Sequence, residues 1–185
     1  MSPLAGIFVG GESRRMGTPK GLLVRDGVPL VQRWLDLFAA RGVPARLVGR
    51  RPEYAAWEAL ALDDDPPGVG PAGGLAALLR AAGGRDAIAV ACDMPFVTDA
   101  VLARLLAADA RPACAARRDD RWEPFFARYR AAEALPVLEA RIARGACNLQ
   151  GFLDELGARE LALEPEARGA LADWDTPEDV RLTEG

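Results

Sequence analysis

The stretch "LAGIFVG", Leu4 to Gly10, is a continuous apolar run that ends on a glycine. Short apolar runs bounded by turn residues are typical of strands that are buried on both faces. Such strands belong to parallel sheets that carry helices on each side. The run therefore predicts one central strand of an α/β sheet, with a sharp change of direction at its carboxyl end.

Three more apolar runs repeat this pattern along the chain. They are "ARLVG" (Ala45 to Gly49), "LALD" (Leu60 to Asp63) and "AIAVACD" (Ala87 to Asp93). Apolar residues at helical spacing lie between the runs, at Leu30, Trp34, Leu37 and Phe38 and again at Leu75, Leu78 and Leu79. Strands joined by helical crossovers form a parallel sheet covered on both faces. We expect a doubly wound, Rossmann-like α/β domain of three layers with a mostly parallel sheet.

The C-terminal third is less regular. Two strands are predicted around a turn at Asp119 and Asp120, in "ACAARRD" and "EPFFARYR", and helices are predicted near Ala131 to Arg144 and Leu149 to Leu156. No repeat, low-complexity tract or linker separates this part from the rest. Residues 1–185 are therefore expected to form a single domain that continues the same sheet.

Composition excludes several classes of function. A net charge of −4 and a pI of about 5.0 argue against nonspecific binding to nucleic acid or to an anionic membrane. Apolar runs are too short for a membrane span, and the three cysteines form no CxxC pair, so a reducing cytoplasm is expected. The sequence has no histidine, which leaves carboxylates, lysine and arginine to carry any chemistry.

The loop "VGGESRRMGTPKG", Val9 to Gly21, holds Lys20, the one lysine of the sequence. A glycine pair lets the backbone approach a ligand and direct N–H groups at it, while Arg15 and Lys20 supply positive charge. Pro19 and Gly21 flank the lysine, so the Walker phosphate loop is not matched. The loop predicts a polyphosphate site, the alternative being a solvated basic turn.

Three other segments favour the polyphosphate interpretation. In "DDDPPGVGPAGGL" (Asp63 to Leu75), carboxylates precede a glycine turn that begins a helix. In "DWDTPED" (Asp173 to Asp179), two carboxylates precede the start of another helix. In "VACDMP", Asp93 ends an apolar strand and Pro95 prevents its continuation. A carboxylate at a strand end, facing a basic loop, suits Mg²⁺, which is usually held by one or two carboxylates and phosphate oxygens.

These segments, in this order, resemble the nucleotidyltransferases of the molybdenum cofactor guanylyltransferase type. Phe8 to Lys20 matches their pattern LAGGxSxRMGxDK, with the second glycine at Gly11, and "EPFFARYR" resembles their HPLFAxYR. The resemblance covers nearly the whole chain. It implies the nucleotide-diphospho-sugar transferase type of fold.

The resemblance also implies roles for particular residues. Nucleotide contacts fall at Phe8, Val9, Gly10, Gly11, Lys20 and Asp93, and at an aspartate that is Asp64 or Asp63. Catalytic roles fall at Lys20, Arg15 and Asp93, and Asp93 would bind Mg²⁺. The departures from the pattern include Pro19, Gly49, Glu123 and Asp175.

The implied reaction transfers GMP from GTP to the terminal phosphate of molybdopterin and releases pyrophosphate. Molybdoenzymes or cofactor-delivery proteins are the implied partners. Pro19 and Asp175 resemble the cytidylyltransferase for the same pterin, so CTP stays an alternative, as does a sugar phosphate acceptor. A nucleotide-binding accessory protein without catalytic activity is the alternative from a different class.

Overall fold

The computed structural model describes residues 2–10, 18–174 and 178–179. Its strands are β1 (Leu4–Phe8), β2 (Val24–Arg25), β3 (Val28–Pro29), β4 (Ala45–Val48), β5 (Ala61–Leu62), β6 (Asp86–Ala91), β7 (Ala113–Arg118), β8 (Arg121–Arg130) and β9 (Arg159–Glu160). Its α-helices are α1 (Leu30–Ala40), α2 (Pro71–Ala81), α3 (Asp99–Ala107), α4 (Ala131–Ala143), α5 (Leu149–Leu156) and α6 (Pro165–Gly169). Two 3-10 segments span Lys20–Leu22 and Pro52–Leu60.

Seven strands of the described chain form one sheet in the order β5-β4-β1-β6-β8-β7-β9. β1 pairs in parallel with β4 and β6, while β8 runs antiparallel to both of its neighbours. The carboxyl ends of β1, β4 and β6 therefore meet at one edge, where α/β folds bind ligands. The predicted mostly parallel α/β sheet is confirmed, and its C-terminal part does extend the same sheet.

Two apolar cores cover the two faces of this sheet. Ile7 and Val90 pack with α1 and α3 on one face. Leu4 and Ala89 pack with α2, α4 and α5 on the other. Because successive side chains of a strand point to opposite faces, a run without polar residues fills both layers. This is the physical basis of the doubly wound arrangement that the apolar runs predict.

Helix α3 is absent from the pattern predicted above. It begins where the Thr98 side chain accepts a hydrogen bond from the Val101 amide, and it buries three apolar residues, Val101, Leu102 and Leu105. No helix formed by the residues that the structure describes is long and apolar enough to cross a membrane.

The β7–β8 hairpin turns at Asp119 and Asp120, as predicted, and both residues have positive φ. Further along, the register is irregular: Ala115 pairs with Ala127, but Ala116 pairs with Glu123. Three residues of β8, 124–126, therefore bulge from the ladder with β7, although Phe126 still pairs with Val90 of β6. The Tyr129 hydroxyl donates a hydrogen bond to the carbonyl oxygen of Pro124, 2.8 Å away, and holds this bulge in place.

We expect Tyr129→Phe to lower the free energy of unfolding by about 1 kcal/mol, because the Pro124 carbonyl loses its partner inside the fold. For a domain of this size the melting midpoint should fall by about 2–4 °C. Thermal unfolding followed by circular dichroism measures the change. An unaltered midpoint would show that the hydroxyl does not stabilise the bulge.

Candidate functional site

A cavity of about 720 Å³ lies at the carboxyl edge of β1, β4 and β6. Its volume is in the range of small-molecule sites. Its lining includes the predicted residues Phe8, Val9, Gly10, Lys20, Asp63, Asp64 and Asp93. The structure thus brings together residues that are far apart in sequence. Two predicted residues, Gly11 and Arg15, lie outside the described residues, as does Asp175.

Lys20 and Asp93 form an ion pair in this cavity, with 2.7 Å between Nζ of Lys20 and Oδ2 of Asp93. Their side chains are only 23% and 15% exposed, so solvent screens the pair weakly. Asp93 reaches the cavity because β6 ends at Ala91, two residues earlier. A flexible ammonium and a carboxylate, both accessible from one cavity, provide a cation for phosphate oxygens and an anion for a metal ion.

The turn that carries Lys20 is fixed from both sides. Pro19 precedes the 3-10 segment, and its carbonyl oxygen accepts a hydrogen bond from the Leu22 amide. The Gly21 amide donates to the Tyr54 hydroxyl at 3.2 Å. Burial raises the pKa of Tyr54 above its ordinary value, so this hydroxyl stays protonated at neutral pH. Pro19 therefore serves the local backbone, since proline presets the φ angle that a turn needs.

The three consecutive aspartates point to different partners. Asp63 accepts hydrogen bonds from Arg50 at 2.8 and 3.3 Å, and Asp65 binds Arg80 at 2.7 Å. Asp64 lines the cavity and has no ion pair within the part of the chain that the structure describes. Burial, and then the charge of Asp63, raise the pKa of Asp64. Of the three carboxylates, Asp64 is therefore the one best placed to bind a ligand.

The backbone conformation at position 49 explains why glycine stands there, in departure from the family pattern. Its φ is +96°, and a side-chain carbon here would lie 3.2 Å from the Gly10 nitrogen and 3.3 Å from its Cα. A side chain at this position would thus be strained and would press on the backbone of Gly10, which lines the cavity. Glycine keeps the Gly10 amide accessible from the cavity.

A second charged group lies beside the Lys20–Asp93 pair. Arg118 donates to Glu123 at 2.9 Å and to Asp173 at 2.8 Å. The Trp174 amide next to it donates to the Asp93 carbonyl oxygen at 3.0 Å. Burial raises the pKa of Glu123, against the opposing effect of Arg118. Glu123, where the family pattern has histidine, is thus neutralised by an arginine from the neighbouring strand.

Sequence reasoning missed several residues of the cavity wall. They include Arg50, Arg51, Cys92, Gly74 and Phe125. Arg50 directly follows one predicted strand and Cys92 is the second-last residue of another, so their position near a strand end was a usable signal. Burial raises the pKa of the Cys92 thiol, which argues against a reactive thiolate there.

The donor set fits Mg²⁺ held together with a substrate. Within residues 2–10, 18–174 and 178–179, no group of three or more histidine, cysteine or carboxylate side chains could hold a metal ion alone. Asp93 offers one carboxylate at the cavity. Mg²⁺ in phosphate sites commonly takes one or two carboxylates and fills its other positions with phosphate oxygens and water.

Comparison with known proteins identifies the family. Residues 5–158 match the MobA-like NTP transferase domain. The chain is 35% identical to a probable molybdenum cofactor guanylyltransferase of Opitutus terrae, with 96% of this chain and 93% of that protein aligned. It is 34% identical to the molybdenum cofactor guanylyltransferase of Xanthomonas euvesicatoria, over 93% and 89% of the two chains.

A solved structure agrees with these matches. It is molybdopterin-guanine dinucleotide biosynthesis protein A from Archaeoglobus fulgidus, which superimposes with a TM-score of 0.77 at 25% identity, over 97% of this chain and 95% of that one. Fold, cavity and sequence thus agree, and the chain belongs to the MobA-like NTP transferase family, whose members are nucleotidyltransferases.

Proposed function

We propose that this chain is a molybdenum cofactor guanylyltransferase, which transfers GMP from GTP to the terminal phosphate of molybdopterin and releases pyrophosphate. The observation that carries the proposal is the meeting of Lys20, Asp93 and Asp64 in one cavity at the sheet edge. The names of the full-length relatives support the choice of GTP and of the pterin acceptor.

The chain's own residues are well suited to this chemistry. An oxygen of the acceptor phosphate attacks the α-phosphorus of GTP, and the bond from that phosphorus to the pyrophosphate oxygen breaks. The attacking group is already ionised, so no strong general base is needed, in agreement with a chain that lacks histidine. Catalysis then depends on alignment and on neutralising charge.

Each residue of the predicted site has a distinct part in this scheme. Lys20 and Arg15 would neutralise the departing pyrophosphate, and the backbone from Phe8 to Gly11 would contact the nucleotide. Asp64, or its neighbour Asp63, would accept hydrogen bonds from the guanine edge. Asp93 would hold Mg²⁺, which when bound supplies positive charge to the triphosphate.

Three further expectations belong to the same proposal. Residues 1–185 would act as one domain, which the continuous sheet supports. The protein would work in the cytoplasm, an expectation that the free thiols Cys92, Cys114 and Cys147 support. Molybdoenzymes or cofactor-delivery proteins would receive its product.

The test is pyrophosphate release with molybdopterin and each of GTP, ATP, CTP and UTP at saturating Mg²⁺. We expect GTP to give the highest kcat/KM, because the Gly10 and Gly11 pair and the "GPAGG" turn resemble the guanylyl group. A higher kcat/KM with CTP would replace the guanylyl assignment with the cytidylyl one. Tight GTP binding without pyrophosphate release from any acceptor, sugar phosphates included, would indicate an accessory protein instead.

A further inference from the structure

Two aromatic rings form part of the cavity wall. Phe8 and Phe125 stack with ring centroids 4.2 Å apart and an interplanar angle of 30°. Both line the cavity; Phe8 is 8% exposed and Phe125 is half-buried, so Phe125 presents the more accessible ring. In the patterns that the chain resembles, leucine stands at both positions. Two separate departures from the pattern therefore meet in space, and they meet at the cavity.

The ring pair lies beside the carboxylate assigned to the base. A carbon placed on the Cα of Gly74, in α2, would lie 3.0 Å from Oδ1 of Asp64 and 3.1 Å from Cε1 of Phe8. The carboxylate oxygen and the ring edge thus border the same point of the helix backbone. A base whose polar edge faces Asp64 would therefore lie close to Phe8, and Phe125 stacks on Phe8.

The backbone holds Phe125 in this position. Phe125 lies in the bulge of β8 between Pro124, whose carbonyl oxygen is bonded to Tyr129, and Phe126. Phe126 is fully buried in the core on the side of α1 and α3, whereas Phe125 packs on the opposite side of the sheet. Because successive side chains of a strand point to opposite faces, one ring lies in the core and the next at the cavity.

We propose that the Phe8–Phe125 pair is the stacking surface for the nucleotide base and that it selects purine over pyrimidine nucleoside triphosphates. The inference rests on the proposed function, which it deepens by assigning the selection of base class to these rings. A purine offers two fused rings to an aromatic face and a pyrimidine offers one, so the contact area differs between them. Asp64 then distinguishes guanine from adenine, because guanine presents N–H donors where adenine presents an acceptor.

The experiment measures binding of GTP, ATP and CTP with Mg²⁺ by isothermal titration calorimetry, without an acceptor. The variants are Phe125→Ala and Phe125→Leu, the second restoring the residue of the family pattern. Base stacking on an aromatic ring has an effect of about 1–3 kcal/mol. We expect Phe125→Ala to weaken the binding of GTP and ATP by about tenfold or more and the binding of CTP by about twofold. Phe125→Leu should have an intermediate effect. Asp64→Asn should weaken GTP and leave ATP nearly unchanged.

Phe126→Leu is the matched control, because it replaces the neighbouring ring in the core with a smaller aliphatic side chain. It should lower the melting midpoint without changing the ratio of GTP to CTP affinity. Equal weakening of all three nucleotides by Phe125→Ala, no weakening of any, or a wild-type protein that binds CTP as tightly as GTP would each overturn the proposal. These binding results are separate from the proposed transfer reaction, which is tested by pyrophosphate release with molybdopterin and each nucleoside triphosphate.

Discussion

Asp93→Asn is expected to lower turnover by about 100-fold or more, the effect typical of removing one electrostatic stabiliser of a transition state. Asparagine keeps the size of the side chain and one oxygen but removes the charge. That charge lies 2.7 Å from the Lys20 ammonium and is only 15% exposed. The loss would therefore affect both the placement of Mg²⁺ and the position of the lysine. Pyrophosphate release as a function of Mg²⁺ concentration measures it.

Asp86→Asn is the matched control, because Asp86 begins the strand that Asp93 follows. Asp86 binds Arg128 at 2.7 Å and Arg130 at 2.8 Å, at the opposite edge of the sheet from the cavity. We expect this variant to lose stability and to keep its turnover at temperatures where it is folded. If Asp93→Asn retains wild-type turnover at limiting Mg²⁺, Asp93 is not the metal ligand.

The sheet was predictable because burial leaves a simple mark on the sequence. The runs from Leu4 and from Ala87 hold no charged residue until they reach the cavity, since both faces of β1 and β6 are covered. Their ends were less predictable. Both runs were expected to continue to Gly10 and Asp93, yet the strands end at Phe8 and Ala91, where the chain leaves the ladder to line the cavity.

Residues of the site were predictable as a group but not as pairs. Lys20 and Asp93 each carried a signal, one as the only lysine in the sequence and one as the carboxylate at a strand end. Nothing in a sequence indicates that two side chains 73 positions apart lie 2.7 Å from each other. The same holds for Arg118, which joins Glu123 to Asp173. Such contacts depend on the tertiary structure, which brings distant segments of the chain together.

The departures from the family pattern become explicable only in three dimensions. Gly49 follows from its positive φ and its approach to Gly10. The negative charge of Glu123, at a position where the family pattern has histidine, is balanced by Arg118 beside it. Phe8 and Phe125 are single substitutions in the sequence and one aromatic pair in the fold. A change that appears isolated along the chain is thus compensated by a neighbour that only the tertiary structure identifies.

Lys20→Arg is expected to lower turnover by about 100-fold, although it preserves the charge and introduces the basic residue that the chain uses everywhere else. The lysine ammonium is a compact charge that meets one oxygen of Asp93 at 2.7 Å. A guanidinium is a wide planar fork that binds carboxylates through two nitrogens. Arginine would therefore engage both oxygens of Asp93 and compete with the metal ion for them.

The turn around Lys20 cannot easily move to relieve this competition. The Gly21 amide is bonded to Tyr54 and the Leu22 amide to Pro19, so the larger head group must extend into the cavity. A misplacement of about 1 Å in the reacting groups is enough to reduce a rate by about 100-fold. Pyrophosphate release and thermal unfolding, measured on the same preparation, separate this effect from a loss of folding.

Two variants complete the comparison for Lys20. Lys20→Gln removes the charge and should be at least as slow as Lys20→Arg, while Arg41→Lys makes the converse exchange at an exposed ion pair with Asp99 and should change stability by less than about 0.5 kcal/mol. If Lys20→Arg turns over like the wild type and Lys20→Gln does not, charge alone is required at this position. If both are as fast as the wild type, Lys20 belongs to a solvated turn and the polyphosphate interpretation of the loop is wrong.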